Sequence, residues 1–365
     1  MEGGATRGDE VRVVDPRGNF LGRGFYSSGS AIPVRLLVRD ETTTIDTGFF
    51  RARFERALAA RIAFGLSKSD TTGYRVVHAE GDLLPGLIVD RFGDVLVVQL
   101  LTFGMKDREA MIFEALGQVF RPRAIVDRTP PAAAKAEQFT PRTGVVRGED
   151  VTELAFTERG LDWKIPLSLG QKTGFYFDQR ELRSHVELLA KGKKVLDAYS
   201  YVGAFGLAAA RGGASEVLCV DESAVAIEVG AENARANGLE KIVRFERNDA
   251  RRTMQDAHGA FDVVVVDPPR LAPTRGVREQ ALVMYSKLAE LGCRATKPGG
   301  TLVLCSCSAA VDLTALTRSL ATGAVRANVH ALVVDRAFQG VDHPVPAAFS
   351  EGLYLKALIA RIEKR

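Results

Sequence analysis

Three short apolar runs stand near the start of the chain, at Val11 to Val14, Phe20 to Tyr26 and Val34 to Val38. Asp15-Pro16-Arg17-Gly18 and Ser27-Ser28-Gly29 separate them. β-rich runs broken by turn residues predict a small β domain. The period then lengthens. Phe50, Phe54, Leu58 and Ile62 recur every four residues and predict an amphipathic helix from about 47 to 64, with those four on its apolar face. Farther on, Leu87 to Val89 and Val95 to Leu101 flank Arg91-Phe92-Gly93-Asp94, a hairpin signal. A helix near 106–119 and a strand near 124–127 follow, and the Pro- and Ala-rich stretch from Thr129 to Ala136 reads as a loop. A second hairpin, Glu153 to Ile165, turns at Glu158-Arg159-Gly160.

From about Ser184 apolar strands alternate with helices. The strands are predicted at Lys194–Leu196, Glu216–Val220, Val243–Glu246, Val263–Val266 and Thr301–Leu304. Such alternation implies an α/β fold with a parallel sheet covered on both faces. The expected division is a β domain over 1–45, a central α/β domain with hairpins over 46–165 and the α/β sheet domain over 166–365. In open parallel sheets, ligands bind beyond the carboxyl ends of the strands, so the residues just after each strand are the candidates.

The first of these strands runs into Asp197-Ala198-Tyr199-Ser200-Tyr201-Val202-Gly203-Ala204-Phe205-Gly206. Glycines there let the backbone turn tightly beside a ligand. Asp221 follows the second strand, where a carboxylate accepts hydrogen bonds from two ribose hydroxyls. Asn248-Asp249 follows the third, placed to receive an adenine amino group. One acid after one strand is as readily a helix cap. Three acids after three successive strands point to a nucleoside-bearing cofactor. G-x-G-x-x-G and the phosphate-loop motif are both missing, which argues against a nicotinamide enzyme and a nucleotide triphosphatase.

The fourth strand ends in Asp267-Pro268-Pro269-Arg270. Two prolines stiffen the backbone and hold the preceding residue extended, fixing Asp267 against a flat ring. The fifth ends in Cys305-Ser306-Cys307-Ser308. Cys305 still lies in the apolar run and reads as core. Cys307 lies at or past the strand end, where a nucleophilic thiol would meet a substrate.

Composition changes this picture little. The 365 residues are 46% hydrophobic and 26% charged, ordinary for a globular chain. No run approaches the roughly 20 apolar residues of a membrane helix, and the N-terminus lacks the pattern of a secretory signal. A reducing cytoplasm is therefore expected. The four cysteines include no C-x-x-C pair, so no metal site is expected. The net charge is +4, and residues 1–150 hold 21 basic against 20 acidic side chains. RNA docking, if present, then needs a local patch such as Arg51, Arg53, Arg121 and Arg123.

Taken in order, these motifs resemble a known family. Gly81 to Gly93, Thr173-Gly174-Phe175-Tyr176-Phe177-Asp178-Gln179-Arg180, Asp197 to Gly206, Asp267 to Arg270, Ser306-Cys307-Ser308, Asp342-His343-Pro344 and Glu351 to Lys356 look like the bacterial class I S-adenosylmethionine-dependent methyltransferases of large-subunit rRNA that act on cytosine C5. The resemblance covers nearly the whole chain. It implies a PUA-like RNA-binding domain, a small central α/β domain and a Rossmann-like methyltransferase domain. The chain begins late by comparison, so both a complete and a shortened PUA-like domain are consistent with that start.

The implied cofactor is S-adenosylmethionine, and the implied partner is large-subunit ribosomal RNA. No membrane partner is expected, and a homodimer is an open expectation. Cys307 is implied as nucleophile, with Asp267 beside it and Pro268, Pro269 and Arg270 facing the base. The cofactor would be held by Thr173, Gln179, Asp197, Ser200, Gly203, Asp221, Asp249 and Asp267. Two other readings stay open. One is an RNA methyltransferase acting on a base nitrogen without a covalent thiol. The other is a non-catalytic RNA-binding assembly protein.

Overall fold

Asp15 shows how local chemistry sets the first turn. Its carboxylate accepts from the backbone N–H of Arg17 at 2.8 Å and of Asn19 at 2.9 Å, an Asx turn that reverses the chain. Strands β1 (Glu10–Val14), β2 (Phe20–Tyr26) and β3 (Val34–Val38) consequently form one antiparallel sheet in that order. The computed structural model describes residues 4–30, 32–169, 172–272 and 275–365. It divides into two compact units, one of residues 1–177 with 341–346, the other of 178–340 with 347–365. No helix among the described residues is long and apolar enough to cross a membrane.

In the first unit, helix α1 (Thr47–Ala63) starts where Asp46 accepts the N–H of Phe49 at 2.8 Å. Phe50 and Phe54 are buried as expected, but Ile62 is 56% exposed. A four-residue step advances about 400° around a helix of 100° per residue, so a stripe at that spacing drifts about 40° each time. The buried face instead runs Phe50, Phe54, Ala57, Arg61.

A five-stranded sheet follows, in the order β4 (Gly73–His78), β5 (Leu87–Phe92), β6 (Val95–Leu100), β7 (Ala124–Arg128), β8 (Thr143–Gly148). Only the β6–β7 pair is parallel. The stretch read as a helix near 106–119 is α2 (Phe103–Asp107) and α3 (Glu109–Phe120), broken at Arg108. The stretch read as a loop holds a short helix, α4 (Pro131–Ala136), whose first residue is a proline. At that position the missing N–H loses nothing. The hairpin of β9 (Glu153–Glu158) and β10 (Leu161–Pro166) turns through Arg159 and Gly160, both at positive φ.

This unit runs on to Phe177 because aromatic rings hold the chain there. Phe175 and Phe177 lie 5.1 and 5.4 Å, ring to ring, from Phe156, and Phe177 lies 5.1 Å from Phe92. It also takes in 341–346, which a reading along the chain leaves in the last domain. Arg61, 2% exposed, pairs with both oxygens of Asp82 and donates to the Asp342 carbonyl at 2.9 Å. The Arg75 N–H donates to the Asp342 carboxylate at 3.0 Å, and the His343 ring lies 4.8 Å from that of His78.

The second unit opens with α5 (Arg180–Leu189). Then come β11 (Lys194–Ala198), α6 (Ala204–Arg211), β12 (Glu216–Asp221), α7 (Ala224–Ala236), β13 (Val243–Arg247), α8 (Ala250–Asp256) and β14 (Phe261–Val266). After them come α9 (Arg278–Ala295), β15 (Thr296–Ser306), α10 (Leu313–Arg326), β16 (Val329–Phe338) and β17 (Lys356–Lys364). The sheet order is β13-β12-β11-β14-β15-β17-β16. All five expected strands are present, but the sheet is not wholly parallel, because β17 inserts antiparallel between β15 and β16. Between β11 and β14 the order reverses direction. The crevice at such a switch point is where α/β sheets take ligands.

Candidate functional site

The loops after β11 and β14 flank that switch point. Asp197, in β11, is fully buried, and its Oδ2 accepts the Gly206 N–H at 2.9 Å. Between them the backbone passes through the left-handed region at Tyr199 (φ 65°), Tyr201 (φ 51°) and Gly203 (φ 78°). Tyrosines held there cost of order 1 kcal/mol each, the kind of strain that collects at functional loops. A Cβ at Gly206 would meet the Cys219 Sγ at 2.2 Å, and one at Gly203 would meet the Phe245 ring at 2.6 Å. Glycine at both places lets α6 and its loop sit against β12 and β13.

Asp221 stitches the loop to the next strand. One oxygen accepts the Tyr201 N–H and the other the Ser223 N–H, each at 2.9 Å. Asp267, half-buried after β14, accepts from Gln179 Nε2 at 3.0 Å. Burial pushes the Asp197 carboxyl up to about 8, the Gly206 N–H opposes that, and the charges of Asp267 and Asp221 add to it. The three acids therefore feel one another. Three buried oxygens in this region, Gln179 Oε1, Asp197 Oδ1 and Ser200 Oγ, have no hydrogen-bond partner among the described residues. Buried polar atoms are normally paired, so this set suits a ligand that brings hydroxyl and ammonium donors.

Asp249 has a local structural role as well. It caps α8, accepting the Arg251 N–H at 2.8 Å, and its other oxygen pairs with the Arg251 guanidinium at 2.7 Å. Thr173 belongs to the first unit, where its hydroxyl donates to Asp90 at 2.5 Å and Asp90 pairs with Arg75. Pro268 is buried, while Pro269 and Arg270 are exposed. Two of the four arginines of the expected patch have acidic partners among the described residues. Arg123 pairs with Asp94 and Glu149, Arg51 with Glu55, and Arg53 donates to the Leu37 carbonyl.

Cys307 is the first residue after β15. Cys219, Cys293 and Cys305 are buried, and Cys307 is half-exposed. Burial pushes the Cys293 thiol up to about 12 and the Cys219 and Cys305 thiols well above their ordinary value, which suits inert core filler. Two residues that the sequence reading left without a role fix the segment after Cys307. Tyr285 is fully buried in α9, with its hydroxyl 3.3 Å from Ser308 Oγ. Lys356, at the head of β17, donates to the Ser308 and Val311 carbonyls. A lysine inside the apolar run Leu355 to Ile359 was the available signal for the second; Tyr285 carried none.

Comparison with known proteins identifies the family and the fold. Residues 84–356 match the S-adenosylmethionine-dependent methyltransferase family, and residues 1–39 match a PUA-like domain. The ribosomal RNA large subunit methyltransferase I of Shewanella amazonensis is 37% identical, with 99% of this chain and 92% of that protein covered. The protein of the same name from Aeromonas salmonicida is 35% identical over 99% and 92%. Among solved structures, a candidate S-adenosylmethionine-dependent methyltransferase from Streptococcus mutans superposes with a TM-score of 0.82 at 20% identity. That match covers 97% of this chain and 92% of the other.

Proposed function

The chain belongs to the S-adenosylmethionine-dependent methyltransferases, in the family of the ribosomal RNA large subunit methyltransferase I proteins, and on that premise we propose that it methylates C5 of a cytosine in large-subunit ribosomal RNA through a covalent adduct at Cys307. The observation that carries this reading is the placement of Cys307. It is the half-exposed cysteine among four, one residue past the strand that neighbours β14 and its Asp267.

The cofactor supplies an electrophilic methyl group on a sulfonium and leaves as a neutral thioether. We assign Asp221 to its ribose hydroxyls. Asp197, Ser200 and Gln179 offer the unpaired oxygens, and Gly203 brings the backbone close. Asp249, as a cap already paired to Arg251, contributes at the margin of the site. Thr173 supports the assignment only through the segment it anchors.

Cytosine C5 is a weak nucleophile. Addition of the Cys307 thiolate to C6 saturates the 5,6 bond and makes C5 enamine-like. C5 then takes the methyl group. Loss of the C5 proton to a base and expulsion of the thiolate restore the ring and the enzyme. Asp267, held by Gln179 and stiffened by Pro268-Pro269, suits a hydrogen bond to the polar edge of the base. A base inside a duplex has to leave its stack first.

RNA carrying 5-fluorocytosine at the target tests the reading, since fluorine does not leave as a proton. The wild type and Cys305→Ser should form a trapped adduct, and Cys307→Ser should form none and methylate nothing. Normal methylation by Cys307→Ser would overturn the covalent route and favour attack by a base nitrogen.

A further inference from the structure

Lys356 is 4% exposed. It lies directly across from Ser306 in the antiparallel ladder between β15 and β17, beside the strand end that presents Cys307. Its Nζ donates to the Ser308 carbonyl at 2.8 Å and to the Val311 carbonyl at 2.6 Å. Both acceptors are neutral. The nearest carboxylate acting on it, Asp312, is 67% exposed, caps α10 and is shared with Arg278. A buried ammonium without a close anion is costly, and its charge spreads through a medium of low polarity. The Cys307 sulfur is the other group that acts on it electrostatically.

We propose that Lys356 is a positioning residue for Cys307: its ammonium fixes the Ser308–Val311 segment and favours the thiolate over the thiol. The proposal rests on the reading of Cys307 as nucleophile. No bond to Lys356 forms. The Sγ proton leaves to solvent; burial lowers the lysine to about 8, so it supplies its ammonium below that pH. Other groups face the same place. Burial and then the Asp267 carboxylate, after β14, push up the neighbouring Cys305 thiol, and the Tyr285 phenol, from α9, is pushed up by burial to about 12 and carries no charge here. Cys305, on β15, is neutral, and Asp312 offsets part of the lysine charge. Lys356 supplies the cationic counterweight to these acids.

Alkylation by iodoacetamide, followed at the Cys307 peptide by mass spectrometry between pH 6 and 10, reads this directly. In Lys356→Met the pH midpoint should rise, slowing alkylation at pH 7.5 by roughly tenfold per pH unit of rise. Lys356→Arg should stay close to the wild type, and Cys305 should stay unreactive throughout. Identical profiles for the wild type and Lys356→Met would overturn the proposal. If circular dichroism shows Lys356→Met unfolded, the wild type alone decides. Its midpoint should lie at or below that of an ordinary thiol, about 8.5, despite Asp267, and a higher midpoint would overturn the proposal. The profile needs no RNA, so failure of the nucleophile reading in the 5-fluorocytosine assay shows up separately.

Discussion

Asp197 is a buried acid whose proton affinity the fold has reset. Its carboxyl sits near 8 because burial outweighs the hydrogen bond from Gly206, whereas an unfolded aspartate titrates near 3.9. A group with a raised folded-state value stabilises the fold fully below about pH 4, and that contribution is lost as pH rises through about 8. Between those limits the slope reaches at most about 1.4 kcal/mol per pH unit. Asp197→Asn keeps an oxygen for the Gly206 N–H and has no proton to lose. Thermal melts of the ligand-free protein at pH 5, 6.5 and 8 should therefore fall more steeply for the wild type than for the variant. Parallel curves would show that Asp197 is ionised throughout. At this scale the apolar pattern located the strand ends at which Asp197, Asp221, Asp267 and Cys307 stand, the first two in the closing residues of their strands and the other two just past them. Asp249 shows the limit. An acid after a strand and before a helix satisfies the ligand reading and the cap reading equally; the structure shows the cap, and the ligand reading stays a proposal.

Elements were legible where their signals are local. The turns at Gly93 and Gly160 need positive φ, and glycine announces that in the sequence. β8 and β16 are sheet edges with much of their surface exposed, so polar residues break up their apolar ones and the signal is weaker than that of a covered strand. β17 has such a run, but its antiparallel insertion depends on pairing with β15, far away along the chain. The junction of β11, α6 and β12 gives a test of packing at this scale. A methyl group at Gly206 meets Cys219 Sγ at 2.2 Å and Val217 Cγ1 at 3.2 Å. Overpacking of this kind costs about 1–3 kcal/mol. Gly206→Ala should destabilise by that amount in urea, and Cys219→Ala in the same chain should recover much of the loss. A double-mutant cycle with no coupling would show that the contact is not the source of the cost.

The whole chain is interleaved rather than strung together, since 341–346 returns to the first unit after most of the second has been laid down. Local pattern could not disclose this, because Asp342 finds Arg61 and Arg75 only in three dimensions. Arg61→Ala would leave Asp82 as a buried charge without its partner, a loss of about 3–5 kcal/mol by the usual cost of breaking a buried pair. It should also loosen the returning segment, seen as new protease cleavage between 341 and 346, and Arg61→Lys should restore little because the paired contact needs a fork. Unchanged melting and cleavage would mean that the segment is held by other contacts. The same interleaving orders events in time. Domains of a growing chain generally fold from the N-terminus as they leave the ribosome. Here the first unit cannot complete its Arg61–Asp82 pocket until residue 342, of 365, has been synthesised. A chain built this way completes its first unit only after most of its second has left the ribosome.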